Sequence, residues 1–374
     1  MTDSPLCAKV LLLIPHLGGG GAEHIAAILA QSLSPKKYEI HLGLVTQSTP
    51  EENGFPPRVT VHALGASKVR KSAWKILRLV WRIRPAVILS GMAHLNLLVL
   101  MLLPLFPPRT RILARQNGAL SATLAACGNP HLSRRLHTAG YRRADRVICQ
   151  TQSMAEELRR ELGVASSRLA VLPNPVDLQA IRASAVRANH VRQWPGHRLL
   201  AVARLAPEKG IDLLLGAFAR VRHKSPKIQL EIAGAGPCEH ALKAQCKMLA
   251  IDAQVKFLGN VNSPAEQFRS ASVFVLSSRH EGLPNALLEA AAAGLPIVAL
   301  PASPGLVGIL SEQPGIWLAS DISEDALEQA LCRALSTIHP GQRFDHSWIE
   351  QFDLNKAIAA YERVIDQVLL ERRT

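Results

Sequence analysis

Nine short apolar runs, alternating with stretches of helical character, set the architecture open to this chain. They fall at residues 10–14, 40–45, 86–90, 111–114 and 147–150, then at 198–203, 229–233, 273–276 and 296–300. Strands that alternate with helices build doubly wound sheets. The alternation breaks once. Pro173 and Pro175 interrupt regular structure, and residues 177–197 are polar and basic enough to be a connection. Two Rossmann-like domains are therefore expected, residues 1–177 and 178–353, which suits 374 residues at ~100–200 per domain. Residues 354–370 read as an amphipathic terminal helix.

Composition removes several classes of function. Half of the chain is apolar, enough for a substantial core, so disorder is excluded. Cys7, Cys127, Cys149, Cys238, Cys246 and Cys332 are scattered without a Cys-x-x-Cys pair, which argues against a zinc site and against a disulfide framework. A reducing cytoplasm is the expected setting. Residues 1–8 lack the basic start of a secretory leader, and the apolar stretch at 97–106 is shorter than the ~20 residues of a membrane span.

Charge is unevenly spread. Residues 1–187 carry 24 Lys+Arg against 10 Asp+Glu, a net +14, whereas residues 188–374 carry 19 of each. Residues 68–84 hold seven basic and no acidic residues, with Ile76, Leu77, Val80, Trp81 and Ile83 near helical spacing. Such a helix is either packed with a solvated basic face or able to rest on anionic lipid. Arg134, Arg135, Arg142, Arg143 and Arg146 add a second cluster. No RNP-type or zinc-finger motif accompanies the charge, so nucleic acid is not the expected partner.

Three motifs carry chemistry. Arg279-His280-Glu281-Gly282-Leu283-Pro284-Asn285 leads from a strand into a helix that contains Glu289. Glu281 then precedes the positive end of the helix and Glu289 lies about one turn inside, so both can face one ligand, with free backbone N–H groups around Gly282 to Asn285 aimed at an anion. A capping glutamate and a solvated helix glutamate account equally for the pair alone. Arg204-Leu205-Ala206-Pro207-Glu208-Lys209-Gly210 puts two cations after another strand. Gly18-Gly19-Gly20-Gly21-Ala22-Glu23 follows the first strand ahead of a helix expected at 26–33, where glycines let the backbone approach a ligand. It lacks the acidic partner ~20 residues on that a dinucleotide site requires.

Together these motifs resemble the Glu-x7-Glu, Arg-Leu-x-x-x-Lys-Gly and Gly-Gly-Ala-Glu elements of the retaining glycosyltransferases of family 4. The resemblance implies the GT-B fold: two Rossmann-like domains facing a central cleft, with the terminal helix 354–374 crossing back to the N-terminal domain. It implies that Glu281 contacts the transferred sugar, Glu289 the ribose, and Arg204 with Lys209 the leaving diphosphate. Gly20 and Gly21 would line the acceptor side of the cleft, while Gly234 and Leu258 would border the nucleotide. His94 is the expected cleft histidine. Arg115-Gln116-Asn117 occupies a strand end where relatives carry histidine, so Gln116 is a poor base. Pro304-Gly305-Leu306-Val307-Gly308 lacks the glutamate that relatives place near the donor, which leaves the sugar open.

The activity so implied is transfer of a hexose or N-acetylhexosamine from a nucleotide-diphosphate sugar, expected to be UDP-linked, to a glycan or lipid-linked acceptor in cell-envelope or exopolysaccharide synthesis. The expected place of work is the inner face of the plasma membrane, with an anionic membrane surface as a further partner. No cofactor is expected. No Asp-x-Asp occurs, so metal independence is expected too. The rival readings are a sugar-nucleotide epimerase of the same fold and an inactive membrane-associated scaffold.

Overall fold

The computed structural model describes residues 7–18, 20–46, 54–125, 129–186, 196–261 and 264–371. Residues 1–6, where no secretory leader was expected, Gly19, Cys127, residues 187–195 of the expected connection and the last three residues lie outside the described residues. The chain divides into two compact units, Met1–Pro175 with Asn355–Thr374, and Val176–Leu354.

The first unit is built on one parallel sheet of β1 (Ala8–Ile14), β2 (Tyr38–Leu44), β3 (Val59–Ala63), β4 (Val87–Gly91), β5 (Arg111–Arg115), β6 (Arg146–Cys149) and β7 (Leu169–Val171). Their order across the sheet is β3-β2-β1-β4-β5-β6-β7, so the direction of winding reverses between β1 and β4. Leu12 is in register with Leu42 on one side and Leu89 on the other. Helices cover both faces, which is why β1 reads as an unbroken apolar run and is buried from Val10 onward.

The second unit repeats the plan with β8 (Arg198–Val202), β9 (Gln229–Ala233), β10 (Val255–Gly259), β11 (Val273–Leu276), β12 (Ile297–Ala299) and β13 (Ile316–Leu318). The order is β10-β9-β8-β11-β12-β13, with the reversal between β8 and β11. The pleat sorts its core into two layers. Leu199, Ala201, Val273, Val275 and Val298 pack with Phe218 and Leu331 on one side, while Leu200, Phe274, Leu276 and Ile297 pack with Leu287 and Leu288 on the other. This is the two-sheet α/β architecture expected of the GT-B fold.

The terminal helix Leu354–Leu370 has the expected bounds, and from Asn355 onward it belongs to the first unit. Glu362 accepts the backbone N–H of Ser34 at 2.9 Å and pairs with Lys37 at 3.2 Å. The Tyr361 hydroxyl accepts Arg115 Nε at 3.1 Å, and Arg146 pairs with Glu371.

Two expectations need correction. The stretch after Asp177 is not simple connection: Leu178–Val186 is a helix. Asp177 Oδ1 accepts the N–H of Ala180 at 2.8 Å, and Leu178 is buried against the layer that holds Leu287 and Phe268, so the cap and one apolar anchor outweigh a polar composition. The helix expected from residue 26 begins at Gly21, because Gly20 adopts the extended capping conformation and Glu23 sits in the first turn, where an acid is favoured.

Candidate functional site

In the second unit the polar residues singled out in the sequence gather at the carboxyl ends of β8 and β11, the neighbouring strands between which the winding reverses. Crevices at such points are where open α/β sheets take ligands. Lys209 Nζ lies 2.7 Å from Glu281 Oε1, with side-chain exposures of 23% and 10%. Ser278 Oγ donates to the same carboxylate oxygen at 2.6 Å. One cation, one anion and one hydroxyl are thus held together from loops 72 residues apart.

The two loops are bolted to each other around this pair. Ser277 Oγ donates to the Lys209 carbonyl at 2.9 Å, and the Arg279 N–H donates to the Glu208 carbonyl at 2.8 Å. The Arg279 guanidinium forks onto Asp212 at 2.8 and 2.6 Å and also reaches the Pro207 carbonyl at 2.7 Å. Bonding to Arg279 holds the Asp212 carboxyl below its ordinary pKa, and the same bond raises that of Arg279. Gly210 has φ +59, and a Cβ there would overlap the Ser277 carbonyl oxygen, so only glycine allows the loops to close.

Arg204 is placed differently. It is exposed and pairs with Glu208 at 2.6 Å. Burial opposes ionisation of Glu208, but bonds from its own backbone N–H and from Arg204 outweigh it and lower its pKa. Nearby, the Gly234 N–H donates to the Gly259 carbonyl at 2.7 Å beside Leu258 on β10. Gly234 has φ +137, and a Cβ would overlap the Ala203 carbonyl oxygen, so this glycine brings the turn after β9 against the loop after β8.

The turn Gly282-Leu283-Pro284 enters the helix Asn285–Ala292, with Pro284 as its extended cap residue and Leu283 buried. Glu281 N–H donates to the Ala302 carbonyl at 3.3 Å, tying the turn to the loop after β12. There Ser303 Oγ accepts the Leu306 N–H at 3.3 Å and caps the helix Pro304–Leu310.

Glu289 lies one turn into its helix, partly buried, and burial pushes its carboxyl up to about 7. Between its ordinary 4.5 and that value the folded chain holds a proton that the unfolded chain has lost. The resulting stabilisation is full below about pH 4 and is lost as pH rises toward 7, by at most about 3 kcal/mol. Glu289→Gln is expected to remove this pH dependence, read as the difference in urea midpoints between variant and parent from pH 4.5 to 7.5. A difference that stays constant over that range would mean that Glu289 ionises normally.

The first unit has its own polar group at the β1/β4 reversal. Gly18 N–H donates to His16 Nδ1 at 2.9 Å, and the buried Glu23 carboxylate lies 4.0 Å from the same nitrogen. A Cβ on Gly20 would overlap the Glu23 carboxylate, while Gly21 is exposed as the first helical residue. His94, exposed in the first turn of the helix Ala93–Leu102, has its pKa lowered by desolvation and by His16, against the pull of Glu23. Gln116 is fully engaged instead: its amide donates to the Gly118 carbonyl at 2.7 Å and accepts the Tyr141 hydroxyl at 2.6 Å.

Sequence reasoning did not single out Ser278, Asp212, Glu208 or His16 as site residues, and treated Glu23 only as part of a motif. Ser278, three residues before Glu281 in one loop, was the most accessible of these. The Asp212–Arg279 fork spans 67 residues and leaves no local pattern. Among the described residues no group of three or more His, Cys, Asp or Glu could hold a metal ion.

Known proteins resemble this chain in sequence and in fold. Residues 19–180 match the family model described as Glycosyltransferase Family 4, and residues 196–337 match that described as Glycosyl transferases group 1. An uncharacterized glycosyltransferase of Haemophilus influenzae is 32% identical over 38% of this chain, a match that spans only 40% of that protein. The N-acetylgalactosamine-N,N'-diacetylbacillosaminyl-diphospho-undecaprenol 4-alpha-N-acetylgalactosaminyltransferase of Campylobacter jejuni is 26% identical, covering 78% of this chain and 80% of its own. Among solved structures, sucrose-phosphate synthase of Thermosynechococcus elongatus superposes with a TM-score of 0.82 at 17% identity, covering 96% of this chain and 99% of the other. Anabaena HepE in complex with UDP-glucose superposes with a TM-score of 0.76 at 16% identity and the same coverage.

Proposed function

Because this chain belongs to glycosyltransferase family 4, we propose that it moves a hexose or N-acetylhexosamine from a UDP-linked donor to a glycan or lipid-linked acceptor of the cell envelope or an exopolysaccharide, with retention at the anomeric carbon. The observation that carries this reading is the Lys209–Glu281 pair with Ser278 at the β8/β11 reversal. Glu281 accepts hydroxyls of the sugar. Glu289 meets the ribose. Lys209 and the exposed Arg204 face the diphosphate, and the glycine turn at Gly234 with Leu258 borders the base.

The chemistry asks little else of the protein. The bond from the anomeric carbon to the diphosphate oxygen breaks, the acceptor oxygen bonds to the same face, and the acceptor proton passes to the departing phosphate. Charge grows on that phosphate as the bond stretches, so a fixed cation there stabilises the transition state more than the ground state. In this reading side-chain cations take the part that a divalent metal plays in other transferases. In this reading His94 contacts the transferred sugar, and Gly20 with Gly21 serve the acceptor. The Campylobacter relative's name describes transfer to a diphospho-undecaprenol-linked glycan, which supports a lipid-linked acceptor as the class.

A screen of nucleotide sugars against thermal unfolding tests the donor assignment. A UDP-sugar at 100 times its dissociation constant is expected to stabilise the chain by about 2.7 kcal/mol, and turnover with that donor is expected to survive a chelator. Protection by no UDP-sugar, or clean epimerisation of the donor without an acceptor, would overturn the reading.

A further inference from the structure

One face of the first unit presents a surface that the donor chemistry does not use. The helix Ala73–Ile83 turns Ile76, Leu79, Val80 and Ile83 into the core, where they pack with Leu95, Val99 and Leu100 of the helix Ala93–Leu102. Its opposite stripe is Trp74, Arg78 and Trp81, spaced four and three apart and all exposed, with Trp74 74% exposed and Trp81 49%, and Lys71 in the preceding turn Val69–Lys71 is exposed as well. Tryptophan is rarely left in water at this level without a partner to meet.

The exposure continues beyond one helix. Trp81 Nε1 donates to the Leu105 carbonyl at 2.9 Å, which sets the indole beside Leu105, itself 56% exposed, in the turn Leu103–Leu105. Met101 precedes that turn at 57% exposure. The helix Pro130–Tyr141, packed on Ala93–Leu102, adds exposed Leu132 and Leu136. These apolar tips stand in a cationic field. Residues 53–144 contain 15 Lys and Arg and not one Asp or Glu.

We propose that this helical layer docks on a bilayer surface rich in anionic phospholipid, with Trp74 and Trp81 seated at the headgroup level and Lys71 and Arg78 on lipid phosphates. The charge selects an anionic partner. The apolar tips select among anionic partners: Met101, Leu105 and Leu136 gain nothing from stacking against nucleic-acid bases but gain from burial at the acyl boundary. Indole rings favour that boundary because one edge is apolar and the other donates a hydrogen bond; Trp81, whose N–H is taken by the Leu105 carbonyl, offers its apolar ring. The surface lies within one unit and does not depend on sugar transfer.

Co-sedimentation of the full chain with vesicles at 0.15 M salt tests this. Vesicles of phosphatidylcholine with 30% phosphatidylglycerol are expected to bind at least about tenfold more tightly than phosphatidylcholine alone, two or more bound cations each contributing severalfold. Trp74→Ala and Arg78→Glu should each weaken that binding about fivefold to tenfold while leaving the thermal midpoint and nucleotide-sugar protection as in the parent. Equal binding to neutral and anionic vesicles would overturn the proposal. So would retention of full binding by Trp74→Ala combined with Arg78→Glu, or displacement from vesicles by RNA that binds the same face more tightly.

Discussion

Replacement of Lys209 by alanine is expected to lower kcat by about 10²–10³-fold, with a much smaller change in KM for the donor. The ammonium is held 2.7 Å from Glu281 by a loop that Gly210, Ser277 and Arg279 fix in place, so it costs no reorganisation when negative charge appears on the leaving phosphate. Arginine is not expected to rescue the variant, because its planar fork cannot take the position of a compact cation that shares Glu281 Oε1 with Ser278. Glu281→Gln should fall in the same range, since it removes the charge that pairs with Lys209 and turns one of the two oxygens that accept sugar hydroxyls into a donor. The stability cost stays below the 3–5 kcal/mol of a fully buried pair, because Lys209 retains some contact with water. Steady-state kinetics with the protecting donor decides the matter. A Lys209→Ala enzyme with parental kcat would remove the pair from the reaction.

Gly210→Val is expected to destabilise the second unit by about 3 kcal/mol or more, combining left-handed backbone strain with a clash against the Ser277 carbonyl. The control is Gly308→Ala. Gly308 lies in the helix Pro304–Leu310, and a Cβ there meets nothing within 4 Å, so alanine should raise stability by about 0.5–1 kcal/mol. Urea titration of both variants gives midpoint shifts of opposite sign. Equal midpoints for Gly210→Val and its parent would mean that the loops after β8 and β11 do not close as described.

Which strands were legible in the sequence follows from where they sit. The nine apolar runs correspond to β1, β2, β4, β5, β6, β8, β9, β11 and β12, the interior strands of the two sheets. The four without a signal, β3, β7, β10 and β13, are the four sheet edges. An edge strand is covered on fewer sides, and these four are mostly half-buried, so nothing demanded an unbroken apolar run. The helix Leu178–Val186 escaped for a related reason: it rests on a cap and a few anchors rather than on a wide apolar face.

The site divides in the same way. The types and spacing of Glu281, Glu289, Arg204 and Lys209 were visible because each stands in a short motif. That Lys209 pairs with Glu281 while Arg204 pairs with Glu208 was not, since both cations precede one helix with equal claim to an acid. The raised pKa of Glu289 was hidden too, because desolvation is a property of the packed neighbourhood.

The last helix has a consequence for how the chain is made. Synthesis runs from one end to the other at about 5–20 residues per second, and the sheet of the first unit is complete in sequence at Val171, whereas Tyr361, Glu362 and Glu371 arrive only at the end. For roughly 10–40 s at that rate, Lys37 and Arg146 wait on the ribosome without the carboxylates of Glu362 and Glu371, and Arg115 waits without the Tyr361 hydroxyl. The second unit, encoded between, can close first. A stop codon before Leu354 would therefore spare the unit nearest the truncation and leave the more distant, N-terminal one unfinished.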